Sequence, residues 1–581
     1  MTFGESLHDV VRDAPLGQLV RFFTNNRLFK YPEERPDFKL PESWIRMLSD
    51  TELHSTPRPE PATPSTICNL KHEQEVEEEH DVSNAVEQDL ETKEFPKGKS
   101  TRLTPKITKS GSILVDWYYE EDTANPHNWS NLRRALLALL ICLYTFVVYL
   151  SSAIYSSSTQ GVMEKFGVSN LKATLGLAMY VLGYGVGPLL FSPLSEIPRI
   201  GRNPIYIITF GIFVILSIPT ALVNNFPGLI VLRFLQGFFG SPCLAAGGAS
   251  MGDMYSMINL PFAMIAWVAA MSCGPSLGPL LSGFAVPAEN WRWSLYESIW
   301  ASAPVLIALF IFMPETSGPN ILLRRAQRLR KLTGNQKLMS QSEIDQSHMK
   351  VSGVAIDALI KPLEITIKDP AVLFVQVYSA IVYGIYYSYF EVFPLVYPVY
   401  YGMNLGEVGL VFICIAVGCI FAIIGYGSLL YFVVTPRIKK VGMGPQENVL
   451  LPGLPVSFGP TIGLFMFAWT ARASIHWIVP TIGVTIYAGS TFTLLQCMFL
   501  YIPLSYPQYA ASLFAANDFF RSALASGSIL FAHPLYHNLG FAKGTSLLGG
   551  LSVIGIIGMF LLYFHGAKLR ALSSFATYTE G

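Results

Sequence analysis

A few charged and polar residues within the apolar runs of this chain have side chains capable of chemistry. Arg233 and Gln236 lie in LIVLRFLQGFFGSPCLAAGG (229–248), Asp518 and Arg521 in YAASLFAANDFFRSALAS (509–526), and Glu391 directly follows the aromatic run of 383–390. A charge at bilayer depth costs at least about 2.5 to 3.5 kcal/mol on insertion scales, so it persists only where it faces protein or water. The chemistry open to these residues is proton handling. Asp518 and Arg521 are three residues apart and can pair on one helix face. A buried carboxylate held by an arginine is a candidate proton site, and a permanent structural pair would have the same spacing. A fixed cation such as Arg233 lowers the pKa of neighbouring carboxylates, and its withdrawal lets them take up a proton. The same guanidinium can equally cap backbone carbonyls or bond Gln236 across one turn.

Two further groups bear on binding. Tyr383, Tyr386, Tyr387 and Phe390 form one helical face ahead of Glu391, and Phe514 and Asn517 share the side of Asp518 and Arg521. Such aromatics are usually core. Lining a cavity, they suit bulky, weakly polar ligands that need surface and few hydrogen bonds. Glu391 is a candidate exit-side proton acceptor or an interface charge.

These residues are positioned by helices that only a membrane can accommodate. The chain is 51% hydrophobic and 14% charged, and its Lys plus Arg equal its Asp plus Glu at 40 each, so bulk charge predicts no nucleic-acid partner. Apolar runs of spanning length fall near 135–153, 173–192, 204–223, 227–248, 260–285 and 294–313, then 371–393, 407–432, 452–470, 477–501, 509–532 and 545–565. The prediction is an all-α membrane protein of twelve transmembrane helices in two six-helix halves, 133–314 and 370–566. A tail precedes them over 1–132, with 51–110 read as disordered from its acidic run and its Ser, Thr and Pro. A central loop over 315–369 opens with NILLRRAQRLRKLTG, where Leu322, Ala326 and Leu329 share a face. It is read as a basic amphipathic helix on the anionic inner leaflet, or as a solvated linker. A short tail over 567–581 closes the chain. Lys and Arg concentrate at one set of span ends, including Arg133, Arg134, Arg199, Arg202, Arg324 and Arg325, against Lys165, Lys172, Arg292, Arg472 and Lys543 at the other. This bias places both termini in the cytoplasm.

Several chemistries are excluded. No GxxxxGK[ST] phosphate cradle occurs, so transport would draw on a gradient and no ATP site or other cofactor is expected. GASMG (248–252) and GPSLG (274–278) match the GxSxG string of hydrolases. Both fall in apolar helical runs, whereas a nucleophile elbow needs a strand, a turn and a helix. The chain is not read as an enzyme.

The remaining motifs carry a resemblance. GYGVGPLLFSPLSEIPRIGRNPIY resembles the signature loop of the major facilitator superfamily, with Glu196, Arg199, Gly201 and Arg202 in its acidic, basic and Gly-Arg positions. Here Glu196 replaces the commoner aspartate, and the spacing across Ile197 to Ile200 is longer than usual. The resemblance implies a cytoplasmic gate. Arg233, Gln236, Gly237, Ser241 and Pro242 match the fourth-helix motif, whose arginine is linked to proton coupling. Gly274, Pro275, Gly278, Pro279 and Gly283 resemble the fifth-helix motif of antiporters, with Pro279 replacing one of its glycines. The strings DWYYEEDTANPHNWSNLRRA, MPETSGPNILLRRAQRLRKLTG, YYSYFEVFP and AANDFFRSA are similar to fungal twelve-span drug:proton antiporters, the group of yeast multidrug, fluconazole and benomyl resistance transporters. The likeness covers nearly the whole chain outside residues 50 to 110. It implies a plasma-membrane exporter, expected to be a monomer, of small hydrophobic toxic compounds such as azoles, benomyl or cycloheximide-like inhibitors, driven by protons. The rivals weighed are a proton-coupled uptake carrier for a small metabolite and a non-transporting membrane sensor.

Overall fold

The computed structural model describes residues 3–41, 44–45, 47, 106–108, 111–346, 360, 364–442, 444–506 and 510–571. Two short helices open the chain, α1 (Phe3–Asp13) and α2 (Pro15–Phe23). The first set of spans is α3 (Asn131–Phe166), α4 (Asn170–Glu196), α5 (Arg202–Leu222), α6 (Phe226–Met254), α7 (Leu260–Ala288) and α8 (Trp293–Phe312). Helix α9 (Gly318–Thr333) lies in the central loop. The second set is α10 (Pro370–Tyr401), α11 (Leu405–Val441), α12 (Phe458–Thr470), α13 (Ile478–Ser505), α14 (Ala510–Leu539) and α15 (Phe541–Ala571).

The expected six-plus-six division is therefore present among the described residues, and local chemistry explains the span starts. Ser130 accepts the amide of Arg133, Asn225 that of Gly228, and Asp369 those of Ala371 and Val372, satisfying donors that a helix start leaves free. Ten of the twelve helices are long and apolar enough to cross a membrane by length and composition. Of the other two, α12 is short because the chain breaks at Ser457 after the single turn Gly453–Val456. Helix α14 interrupts its apolar residues with Asn517, Asp518, Arg521, His533 and His537.

The central loop departs from expectation. Strand β1 (Ile113–Val115), ahead of the first span, pairs in parallel with β2 (Leu338–Ser340), beyond α9, with Ile113 opposite Leu338. Trp44, Ile113, Val115, Tyr118, Ala326, Leu329 and Leu338 close a small second core. Helix α9 thus buries the face of Ala326 and Leu329 against the chain's own tail, and that face is not available to a leaflet. Two of its arginines are also engaged: Arg325, 3% exposed, reaches Asp122 at 2.7 Å, and Arg328 reaches Glu33 at 3.2 Å. Burial would push the Asp122 carboxyl up. Arg325 and the amides of Ala124 and Tyr118 outweigh that and hold it below the usual aspartate range. The reading of 51–110 as disordered falls almost wholly outside the described residues, although Ile107 forms an antiparallel bridge with Ile113.

Candidate substrate and coupling site

Arg233, on α6, is fully buried between the rings of Tyr180 and Tyr155, 4.3 and 5.0 Å from their centroids. Its guanidinium donates to the carbonyls of Gly176 (3.1 Å), Ser151 (3.0 Å) and Ser152 (3.2 Å) and to Gln236 Oε1 (3.1 Å). Among the described residues no carboxylate lies within ion-pair distance. The acceptors at Ser151 and Ser152 come from the end of the regular part of α3, where the chain tightens into a 3₁₀ turn over Ile154–Ser158. Carbonyls there lack some of their helical donors, and a guanidinium carries five N–H groups to supply them. Gln236 gives its amide to Ser217 Oγ at 2.7 Å. It is occupied inside the first half and is not brought together with the tyrosines.

The second buried arginine differs. Asp518 and Arg521, on α14, form an ion pair, and both are buried, at 3% and 0% exposure. Arg521 also donates to Tyr149 Oη at 3.2 Å and to Met271 Sδ at 3.3 Å, both in the first half, and lies 4.5 Å from the Tyr383 ring centroid in the second. The second carboxylate oxygen, Asp518 Oδ2, is buried without a hydrogen-bond partner among the described residues.

Between the two arginines runs a line of hydroxyls. Arg233 holds the Ser152 carbonyl, Ser152 Oγ lies 3.0 Å from Tyr387 Oη, and Tyr184 Oη lies 3.0 Å from Tyr387 Oη and 2.8 Å from Tyr383 Oη. Tyr383 then stacks on Arg521. Tyr184 and Ser152 belong to the first half and Tyr383 and Tyr387 to the second, so the line crosses the seam between them. Tyr386 donates to the carbonyl of Ser272 at 3.1 Å, a further bond across it.

The structure therefore brings together Tyr383, Tyr386, Tyr387, Asp518 and Arg521. Phe390 extends the aromatic face, edge-on to Tyr386 at 6.0 Å. Phe514 sits edge-on to Phe499 at 5.7 Å. Asn517 donates its Nδ2 within the second half, to Gln376 Oε1 at 2.5 Å and Ser379 Oγ at 2.7 Å, while its Oδ1 is buried without a hydrogen-bond partner among the described residues. Glu391 is half-buried and makes no hydrogen bond or ion pair among the described residues. Beside Tyr383 and Tyr386 is a cavity of about 20 Å³, closed by Ile415, Cys419, Thr491 and Phe492. That is room for about one water. A drug-sized ligand needs the halves to part.

The fifth-helix motif acts in packing. A Cβ on Gly278 would come within 2.7 Å of Ile154 N, and one on Gly283 within 2.9 Å of the Leu405 carbonyl. Helix α7 thus approaches α3 in its own half and α11 in the other, backbone to backbone, with Gly274 likewise close to α3. Pro275 and Pro279 lie inside this helix. Both GxSxG strings are helical, in α6 and α7.

At the face carrying the termini, Arg202 meets Asp253 at 2.5 Å. Glu315 accepts the amides of Arg202 (3.0 Å), Asn203 (3.2 Å), Thr316 (3.1 Å) and Ser317 (2.9 Å). Gly201, at φ +80°, makes the left-handed turn that aims these amides, and a side chain there would strike Glu315. Glu196 and Arg199 are exposed beside this cluster and form no ion pair among the described residues. Sequence reasoning found Arg202 but missed Asp253 and Glu315. Glu315 stands in the string MPETSG, where an acid just past a span end was the available signal.

Two helical halves meeting along a polar seam are the common plan of secondary transporters. The family model described as Major Facilitator Superfamily matches residues 141–532, and the chain belongs to that family. It is 46% identical over 474 residues to the MFS-type transporter pyvG of Aspergillus violaceofuscus, covering 81% of this chain and 87% of the relative. To the cycloheximide resistance protein of Candida maltosa it is 37% identical over 579 residues, 97% of this chain and 99% of the relative. To fluconazole resistance protein 1 of Saccharomyces cerevisiae it is 39% identical over 480 residues, 82% and 86% of the two chains. The protein is thus a multi-pass membrane transporter of this superfamily.

Proposed function

We propose that the protein exports chemically diverse hydrophobic toxic compounds across the plasma membrane, exchanging them for protons by alternating access, with both termini in the cytoplasm. The observation that carries this reading is the Asp518–Arg521 pair, buried at the seam and tied to both halves. Relatives named for resistance to cycloheximide and to fluconazole support a drug cargo. The tyrosine rings at the seam offer aromatic surface that suits such compounds, and their hydroxyls are already engaged with one another.

With Asp518 ionised, Arg521 is shared among the carboxylate, Tyr149 and the face of Tyr383, which helps hold the halves together. A proton on Asp518 removes the charge that holds Arg521 in place. The guanidinium then needs another acceptor, and the seam loosens so that cargo can enter or leave. Arg233 acts as a positioning residue: it fixes Ser152, and through it Tyr387, at the far end of the hydroxyl line. The Arg202–Asp253–Glu315 cluster serves as the cytoplasmic gate, with Glu196 and Arg199 available to pair across it when the halves move. The driving force suffices. A proton entering down about 100 mV releases about 2.3 kcal/mol, and each pH unit adds about 1.4.

The test is efflux of a preloaded labelled azole from yeast lacking its own pumps, with and without a protonophore. Export that the protonophore abolishes is expected. Equal efflux with and without the protein, once its surface expression is confirmed, overturns the reading.

A further inference from the structure

Helix α2 presents an apolar face that no described part of the protein covers. Leu19, Phe22 and Phe23 recur at i, i+3 and i+4 and are 44%, 74% and 78% exposed, and Leu28 in the following turn is 55% exposed. This presentation is built into the fold. The chain reverses through Asn25, Asn26 and Phe29, all at positive φ (50°, 61° and 51°). Arg21, on the opposite side of α2 and 6% exposed, closes the turn by donating to the Phe29 carbonyl at 2.6 Å and pairing with Glu34 at 2.7 Å. Gln18 ties α2 back to the Arg12 carbonyl at 2.7 Å. A segment held this firmly with two phenylalanines outward has something to put them against.

The geometry points to the headgroup region of the leaflet on the side of the termini, which the orientation proposed above makes the inner one. Helix α2 packs against α5 and α8. Those spans turn Ile208, Ile215, Ile307 and Phe312 outward at 60%, 66%, 60% and 38% exposure, the apolar belt that meets hydrocarbon. Asp13, at the junction of α1 and α2, lies 3.6 Å from Arg133 at the start of the first span, which sets the depth of the helix at that span's end. The apolar face of α2 is therefore continuous with the lipid-facing belt where the belt reaches water. Exposed Arg27 and Lys30 flank Leu28 and complement anionic headgroups. The interfacial element of this chain is accordingly the short tail helix α2; the apolar face of the more basic α9, for which sequence leaves a leaflet and a solvated linker both open, is covered by the protein's own second core.

The test places a nitroxide on the full-length transporter at Phe23→Cys, and separately at Phe22→Cys and Leu28→Cys, in bilayer nanodiscs of phosphatidylcholine and phosphatidylserine. The signal of labelled protein without the added cysteine is subtracted. Lys337→Cys, exposed on the second core, is the aqueous reference. Collision with dissolved oxygen severalfold more frequent, relative to a water-soluble nickel chelate, at all three sites than at Lys337→Cys is the expected result. A shallower depth in the R27E/K30E protein, or in phosphatidylcholine alone, is expected with it. Nickel accessibility at all three equal to the reference overturns the inference, as does dipolar coupling between copies at these sites, which would make a second protein chain the occupant. An impermeant thiol reagent on intact cells reads the side separately. Labelling of Lys337→Cys there overturns the cytoplasmic orientation and the inner-leaflet assignment together, without moving the collision result.

Discussion

Two arginines are buried to the same degree within one bundle, and their surroundings have little in common. Arg233 lies inside the first half, and its charge is met by three carbonyls, an amide and two aromatic rings. Arg521 lies at the seam and is met by a carboxylate, a phenol and a thioether. A carbonyl cannot take up a proton in the accessible pH range, whereas a carboxylate can. The first environment therefore makes a fixed cation, and the second makes a pair whose net charge can change. In the proposed cycle it is therefore the acceptor, and not the guanidinium by itself, that assigns coupling to one arginine and positioning to the other.

That contrast is broken most severely at Asp518. In D518N the shape and one acceptor oxygen remain while the titratable group is gone. Accumulation of a labelled substrate in inside-out vesicles under an imposed pH gradient should fall by at least about tenfold, equal to about 1.4 kcal/mol of lost driving advantage. Exchange of labelled for unlabelled substrate without a gradient should persist. Gradient-driven uptake at the native level in D518N would remove the distinction between the two arginines.

R233A attacks the other side of the comparison and should act through stability. It leaves the carbonyls of Gly176, Ser151 and Ser152 without their buried donor, each at a cost of about 1–3 kcal/mol. The midpoint of thermal unfolding in detergent should drop, and transport should fall by the same factor at every external pH. R233K should recover only part of the stability, because an ammonium cannot reproduce the planar fork. A shifted pH profile with unchanged unfolding would instead make Arg233 a coupling residue.

A third arginine, Arg325, has a carboxylate partner but lies outside the spans, and so separates pairing from membrane burial. The Asp122 carboxyl is held below its ordinary range by Arg325, so its stabilising contribution is complete above the unfolded aspartate pKa of about 3.9 and is lost as pH falls through the lowered folded value. Hydrogen exchange of the segment around β1 should therefore stay slow from neutral pH down to that range and rise below it. D122N should be less protected at neutral pH and flatter with acid.

The fold was more legible than the site, for a physical reason. Spans are written as runs of about twenty apolar residues and are local in sequence. The site is made of pairs far apart in the chain. Arg521 was visible as a charge in an apolar run, but Tyr149, 372 residues away, had no mark of its own. The tyrosines of α10 could be found as a stripe, whereas Tyr184, which joins them to the first half, is one aromatic among many. The acidic partners of Arg202, Asp253 and Glu315, sit at span ends where charges are ordinary. The surroundings of helix α9 were not legible, since its pattern of apolar residues beside arginines left a leaflet and a solvated linker both open, and the residues that cover Ala326 and Leu329 come from the distant segments around β1 and β2.

The smallest expected effect lies between the two arginines, at Tyr184. Y184F removes the hydroxyl shared by Tyr383 and Tyr387 while keeping the ring edge-on to Tyr149 at 5.5 Å. A buried hydrogen bond contributes about 1 kcal/mol net, so unfolding should shift by a degree or two and expression should hold. What should change is the balance between closed and open seams, since both bonds lost are bonds between the halves. Protection of Lys337→Cys is a poor reporter of this balance, because that residue lies on the second core; a thiol introduced at Thr491, beside the small cavity, is a direct one. Its labelling rate should rise severalfold in Y184F and barely change in R233K, whose altered contacts all lie within one half. An equal rise in both would mean that the hydroxyl line transmits in either direction, and the two arginines would then form one unit.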